Sequence, residues 1–390
     1  MLKGVRVLDL SRLLPGPYAS LMLADMGAEV IKVEDTGRGD YMRWFPPRVK
    51  NESAYYLALN RNKKSIALDL KSEEGKDIFL TLVKSSNAIL EGFRPGVVKR
   101  LGVGYEDLKK ANPKIIFCSL TGYGQEGPYS DMAGHDINYM ALSGILGLTG
   151  PSGQKPVIPA VQTADVAGGL FAALGIVGAL HRQLQTGEGC YLDVAMLDGL
   201  VSLFNMHIGR YFATGREEQK GEMMLSGGIV CYNTYATSDD RYIALGALEE
   251  KFWIAFCKGV GREDLIDVQM SPAIAENPAY RETASVFKGR TLDEWISFAG
   301  KVDCCLTPIL NMQEVLKNEQ LETRNTFKTI EHSTEGSIGQ VAFPIKTTCD
   351  SMKRGMSPPP RLGEHTWEIL KEAGISEDYY ESLRDKGVVK

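Results

Sequence analysis

Apolar positions in the first 120 residues gather into short runs: VRVLDL (5–10), EVIKVE (29–34), SIALDL (65–70), AILEGF (88–93) and IIFCSL (115–120). Each is the length of a strand and too short for an ordinary helix. Between them lie stretches with helical spacing, such as YASLMLADMGA (18–28), SEEGKDIFLTLVKSS (72–86) and GVGYEDLKKANP (102–113). Strands separated by helices of this length predict βαβ units, and so a parallel sheet with helices on both faces. The first half is therefore expected to be a doubly wound α/β domain.

The pattern changes further on. Residues 166–209 read as mostly helical, interrupted by CYLDVAM (190–196). TGREEQKGEMMLSGG (214–228) is charged, aperiodic and punctuated by glycine, which predicts a linker or mobile loop. YNTYATSDDRYIALGAL (232–248) offers two strand-like runs around SDD, a hairpin signal that opens a second, α+β segment. SPPPRLGEHT (357–366) is a proline-rich connector ahead of a terminal helix and a short tail. A chain of 390 residues is also too long for one ordinary core, so two domains are expected.

Composition narrows the function classes. Apolar residues at 44% and charged residues at 24% are the mix of a globular protein. A net charge of −5 argues against a nucleic-acid surface but leaves room for a small phosphorylated ligand held by local cations. Seven cysteines, at 118, 190, 231, 257, 304, 305 and 349, are an odd number without C-x-x-C spacing. They predict neither a disulfide framework nor a metal site, and the pair Cys304–Cys305 reads as packing. The start MLKGVRVLDLSRLLPG has no signal-peptide pattern, and VAGGLFAALGIVGAL (166–180) is too short and glycine-rich to span a bilayer. A cytoplasmic protein with no membrane contact is expected.

Glu34, closing the second strand-like run, invites a dinucleotide reading, but the turn after the first run opposes it. That turn is SRLLPGPY (11–18), with Pro15 and Pro17 around Gly16, where a pyrophosphate site needs G-x-G-x-x-G. Prolines remove the backbone donors that a phosphate would use. No P-loop or G-x-S-x-G motif is present either.

Three acid–base candidates remain. His135 stands in GHDINYMALSG, one of only five histidines. Alone it fits a core ring as readily as a proton carrier. Asp165 precedes a helix expected from about Val166 to Leu184 and ending near Gly187, which makes it a candidate N-cap. Gly168, Gly169, Gly175 and Gly178 each cost about 1 kcal/mol against alanine, so another backbone or a ligand is expected close by. A carboxylate at a helix N-terminus is held ionised, which suits a nucleophile better than a base. Glu249 and Glu250, in LGALEEKFW, are the third candidate at a strand-to-helix boundary.

Taken together, these stretches resemble the class III CoA-transferases, the CaiB/BaiF type, with the 2-methylacyl-CoA racemases among them. The resemblance runs from VLDLSRLLPGPYASLMLADMGAEVIKVE through NRNKKSIALDL, EGFRPGVVKRLGVGYEDL, TGYGQEGPY and GHDINY to the Asp165 helix. It continues through TGEGCYLDVAMLDG and YATSDDRYIALGALEEKFW to GEHTWEILKEAGIS. It implies a large Rossmann-like domain from both chain ends (1–200 and 330–390), a linker region (201–228) and a small α+β domain (229–329). It also implies an interlocked, ring-through-ring dimer, or a heteromer with a homologous subunit.

By motif position the resemblance makes Arg38, Leu70, Lys71, Phe93, Arg94 and Arg100 contacts to coenzyme A. Guanidinium forks suit its phosphates and an apolar shelf its adenine. One departure is Gly92, where many relatives carry Asn. Tyr139, Gly227 and Gly228 are expected in the acyl pocket. An acyl-CoA and a carboxylic acid are the expected substrates, with no resident cofactor and no metal. Two activities are implied: CoA transfer, succinyl-CoA being one donor, through an anhydride and an enzyme–CoA thioester at Asp165; or racemisation using His135, Asp165 and Glu249. All three racemase positions are filled. The expected N-cap and the matches at NRNKKSIALDL and EGFRPGV tilt the sequence reading toward transfer.

Overall fold

Six strands carry the larger part of the molecule: β1 (Arg6–Asp9), β2 (Glu29–Glu34), β3 (Lys63–Ala67), β4 (Ala88–Glu91), β5 (Ile116–Thr121) and β6 (Cys190–Ala195). The computed structural model describes residues 1–348 and 355–390, so Cys349 lies outside the described residues. All five sheet pairings are parallel, in the order β3-β2-β1-β4-β5-β6. This is the doubly wound order, and the direction of winding reverses between β1 and β4. The near-continuous apolar runs follow from burial on both faces: Leu8, Ile31, Ile66, Ile89 and Phe117 are all buried in one core. The sixth strand is the CYLDVAM run.

The chain's end joins the same core. Ile369, Leu370, Leu383 and Val389 are buried in it, and the amide of Asp69 donates to Val388 O at 2.9 Å. The proline-rich connector is tied down by Arg43, whose Nη2 donates to Pro360 O (3.2 Å), the Tyr56 hydroxyl (2.6 Å) and Glu34 (2.8 Å). Glu34 thus ends β2 as the acidic half of a buried ion pair.

The chain divides into two compact units: residues 1–143, 159–203 and 320–390, and residues 144–158 and 204–319. These edges correct the expected ones. From residue 204 the expected linker belongs to the second unit and holds a helix, Asn205–Thr214, and a short turn, Met224–Ser226. The helical pattern read over 166–209 covers only its first residues, and Glu218 ties the helix back through His207 and Arg210. The first unit also takes in residues 320–329, which were expected in the small domain. There the hairpin β10 (Phe327–His332) and β11 (Gly336–Val341) is anchored when Glu335 accepts the amides of Lys50 (2.8 Å) and Asn51 (2.9 Å).

In the second unit, β7 (Tyr232–Ala236), β8 (Tyr242–Gly246) and β9 (Leu306–Pro308) form an antiparallel sheet. The expected hairpin is its first pair. Its aromatic core stacks Tyr235 on Phe287 (4.5 Å between centroids) and Phe287 on Phe256 (5.2 Å). Cys304 is buried in that core and Cys305 is exposed.

The helix Thr163–Thr186 is longer than the sequence suggested, and in length and composition it could cross a membrane. Its glycines show what it does in this fold. A Cβ at Gly169 would lie 2.6 Å from Pro15 O, so this face packs directly on the backbone of the helix Pro15–Asp25. A Cβ at Gly168 would meet Met196 at 2.5 Å, whereas Gly178 faces open space.

Candidate active site

In an open parallel sheet, a crevice forms outside the carboxyl ends of the strands at the switch point. Here a cleft of ≈ 650 Å³ opens beyond the ends of β1, β4, β5 and β6. Residues 11–16 line it after β1, and residues 92–95 after β4. His135, Tyr139 and Asp165 complete the opposite wall. The second unit holds a larger cavity of ≈ 850 Å³, where Glu218 occupies the ring nitrogen of His207. The cleft is the stronger candidate because it brings a histidine, a carboxyl group and guanidinium groups to one space.

Asp165 differs from expectation. The helix begins at Thr163 with Gln162 as its N-cap, so Asp165 stands inside the first turn. The amides it was expected to cap are taken by Asp136: its Oδ1 accepts from Ala164 N at 2.6 Å and Asp165 N at 3.3 Å. Among the described residues no donor reaches the Asp165 carboxylate. Burial, and then the like charge of Asp136, pushes this carboxyl up to about 7. The expectation of a carboxylate held ionised by the helix terminus is therefore overturned, because a second carboxylate already occupies that terminus.

This also divides the GHD motif into two roles. Asp136 begins the helix Asp136–Leu142 and caps the neighbouring Asp165 helix. His135, the N-cap residue of its own helix, lines the cleft, and its amide donates to Asn138 Oδ1 at 3.0 Å. Tyr139 packs where side chains at Gly122 or Gly134 would collide with it, at 2.4 and 2.7 Å. Its hydroxyl donates to Gly134 O at 2.7 Å, and burial beside Tyr123 and Asp165 pushes it up to about 12. It is a wall of the cleft.

Phe93 and Arg94 line the cleft, and Glu91 Oε2 holds their turn by accepting the Phe93 amide at 2.7 Å. Burial raises the Glu91 carboxyl to about 7. Arg38 follows β2, Leu70 and Lys71 follow β3, and Arg100 ends the helix Val97–Leu101 after β4. All six expected CoA contacts thus lie on segments following the carboxyl ends of strands. Arg38, Lys71 and Arg100 are exposed. At the departure from the relatives' Asn, Gly92 lines the cleft and a Cβ would find ordinary contacts, 3.5 Å from Leu120 O.

Glu249, Gly227 and Gly228 belong to the second unit. Glu249 is the exposed N-cap residue of the helix Glu250–Gly259. Gly227 is left-handed (φ +91°) and its carbonyl accepts from Asn233 Nδ2 at 2.7 Å, a turn role. Two contributors were missed in the sequence. Arg12, in the turn singled out only for its prolines, enters the cleft. Asp136 was seen only as a neighbour of His135. Its signal was an acidic residue able to cap a helix other than its own, which spacing cannot show.

The chain matches the family model described as CoA-transferase family III over residues 2–366. It is 37% identical over 390 residues to the alpha-methylacyl-CoA racemase of Homo sapiens, covering 99% of this chain and 97% of that protein. It is also 37% identical over 377 residues to the succinyl-CoA:glutarate CoA-transferase of Homo sapiens, covering 95% and 85%. A crystal structure of a CAIB/BAIF family protein from Brucella suis aligns with a TM-score of 0.83 at 29% identity, covering 95% of this chain and 98% of that one.

Proposed function

The chain belongs to CoA-transferase family III, and from that premise we propose that it inverts the carbon next to the thioester of an acyl-CoA. His135 and Asp165 are the acid–base pair. The observation that carries this reading is their meeting in one cleft, with Asp165 poised at about 7. A base works best when its pKa lies near the working pH, and a thioester α-proton needs a base on one face and an acid on the other. Asp165 takes the proton, the C–H electron pair moves onto the thioester oxygen as an enolate, and protonated His135 returns a proton to the opposite face. The reverse direction exchanges the two roles. Transfer would give His135 no proton to move.

In the same proposal Arg38, Leu70, Lys71, Phe93, Arg94 and Arg100 hold coenzyme A, and Tyr139 bounds the acyl group. Gly227, Gly228 and Glu249 belong to it through the resemblance, as do the interlocked dimer or mixed assembly and the cytoplasmic setting.

A second reading keeps a specific support. Among the described residues the Asp165 carboxylate accepts no hydrogen bond, and it is free to attack a thioester carbonyl, releasing CoA thiolate and leaving an acyl-aspartyl anhydride. Thiolate attack on the aspartyl carbonyl of the anhydride then expels the donor acid and gives an enzyme–CoA thioester. The acceptor carboxylate attacks that thioester, expelling thiolate and forming a new anhydride. Thiolate attack on the acceptor's carbonyl releases its CoA ester and regenerates the Asp165 carboxylate. The relatives named as succinyl-CoA:glutarate and succinyl-CoA–D-citramalate CoA-transferases favour succinyl-CoA as donor in that case.

One experiment separates the two. The protein is incubated in D₂O with a single-enantiomer 2-methylacyl-CoA and a panel of free acids, and every CoA ester is followed by mass and by chirality. Deuterium at the α-carbon with loss of optical purity, the acids unchanged, is the expected result. CoA arriving on a new acid without α-deuterium overturns racemisation in favour of transfer.

A further inference from the structure

Arg12 is a cation whose charge the fold leaves unmatched. Three cations beneath the same sheet edge face carboxylates: Lys32 meets Asp40 at 2.8 Å, Arg43 meets Glu34 at 2.8 Å and Lys63 meets Asp9 at 3.6 Å. Among the described residues, no carboxylate pairs with Arg12. Its guanidinium instead lies between two aromatic rings, 5.0 Å from the Tyr41 centroid and 5.1 Å from that of Phe93. Nη1 donates to the Tyr41 hydroxyl at 3.0 Å. That contact uses one of five N–H donors.

The backbone around it is held on both sides by buried charge. Asp9 Oδ1 accepts the Ser11 amide at 2.9 Å, and Lys32 Nζ donates to Ser11 O at 2.9 Å. Asp40 Oδ1 accepts the Leu13 amide at 3.1 Å, and Leu13 is left-handed at φ +65°. A non-glycine residue keeps that conformation only where its surroundings impose it. The result is a fixed backbone that presents the Arg12 side chain in the same cleft as Asp165 and His135.

We propose that Arg12 is an oxyanion-recognition site in the cleft, taking a carboxylate or phosphate group of the bound substrate in a forked hydrogen bond. Arginine on aromatic faces suits planar two-oxygen acceptors, because its donors are already aligned and weakly hydrated. Two groups of an acyl-CoA carry that chemistry: a terminal carboxylate on the acyl chain, and a phosphate of the carrier. The site deepens the reading of an acyl-CoA enzyme and rests on it for which molecule brings the oxyanion.

The test is calorimetric binding to the full chain and to Arg12→Gln and Arg12→Lys, with unfolding curves confirming that all three fold alike. The probes are propionyl-CoA, succinyl-CoA, 3′-dephospho-propionyl-CoA, and glutarate and inorganic phosphate alone. If Arg12 reads a terminal carboxylate, Arg12→Gln binds succinyl-CoA about tenfold or more weakly, a loss of about 1.4 kcal/mol, while propionyl-CoA is unaffected. If it reads a carrier phosphate, both esters weaken and the dephospho ester shows no further loss. Arg12→Lys, keeping the charge without the fork, recovers only part of either loss. Unchanged affinity of Arg12→Gln for every ester that the wild type binds overturns the site and leaves the acyl-CoA reading standing. Wild-type binding of glutarate or phosphate, lost in Arg12→Gln, with no binding of any CoA ester, keeps the site and overturns the acyl-CoA reading. No binding of any probe overturns both.

Discussion

Two groups of carboxylates in the first unit behave in opposite ways: Asp9 and Glu34, both buried, are held down, and Asp165, only half-buried, is raised. Beneath the Ser11–Pro17 turn, burial opposes ionisation of Asp9, but Lys32, Lys63 and the hydroxyls of Ser11 and Ser20 hold it below the usual carboxylate range. Glu34 is likewise held down against burial by Arg43 and Lys32. Across the cleft, Asp165 has neither cation nor donor among the described residues, and burial with the neighbouring Asp136 raises it to about 7. Depth alone sets neither outcome. What decides is the supply of donors, which makes one group a fastening and leaves the other available for chemistry.

The comparison breaks most visibly at Asp165. Asp165→Ala is expected to cut turnover on the order of a thousandfold or more while the urea-unfolding midpoint holds, because the lost group has no partner. Retained turnover in that variant would remove Asp165 from the chemistry. The fastening side should show the reverse. Glu34→Ala leaves the Arg43 guanidinium buried without its main partner, a loss of about 3–5 kcal/mol in unfolding free energy. A cost below about 1 kcal/mol would mean that the pair holds nothing.

A finer cut is Asp136→Asn, which keeps an oxygen for the Ala164 amide and removes the charge. Activity that depends on ionised Asp165 rises with pH through about 7 in the parent. In the variant that midpoint moves down toward the ordinary carboxylate range. A profile of kcat/KM against pH with an unmoved midpoint would show that burial alone sets Asp165.

The smallest effect is in stability. The unfolded chain releases the Asp165 proton near the ordinary value of 3.8 and the folded chain near 7. The folded state therefore binds more protons between those limits, and this group's contribution falls as pH rises from about 4 to 7. Glu34 acts in the opposite sense, its contribution being lost as pH falls below the carboxylate range. Asp165→Asn should flatten the decline between pH 4 and 7, as read from unfolding midpoints. A decline of unchanged slope would assign it to other groups.

Much of the fold was legible because it follows from local patterns. Five apolar runs of strand length and the helices between them fixed a parallel sheet, and SDD marked the hairpin of β7 and β8. The stop of the long helix at Gly187, left-handed at φ +73°, was readable from glycine chemistry. The helix Asn205–Thr214 was readable only in part: the helical pattern was followed to residue 209, and sequence alone could not match its apolar positions to a partner. The expected domain edge at residue 330 cut into β10 for a similar reason: the hairpin's anchor, Glu335 on the amides of residues 50 and 51, spans 285 positions.

The site divides in the same way. Sequence by itself determined which groups the chain carries: His135, Asp165, the arginines, and a βαβ order that leads a crevice to form at strand ends. Only the tertiary structure decided their states. It put Asp136 rather than Asp165 at the helix terminus, left Asp165 without a donor among the described residues, and set Arg12 against two rings with no carboxylate partner among them. The physical reason is range. Strand and helix preferences depend on neighbours a few residues apart, whereas a side chain's protonation and hydrogen-bonding depend on groups that only folding brings within a few ångströms.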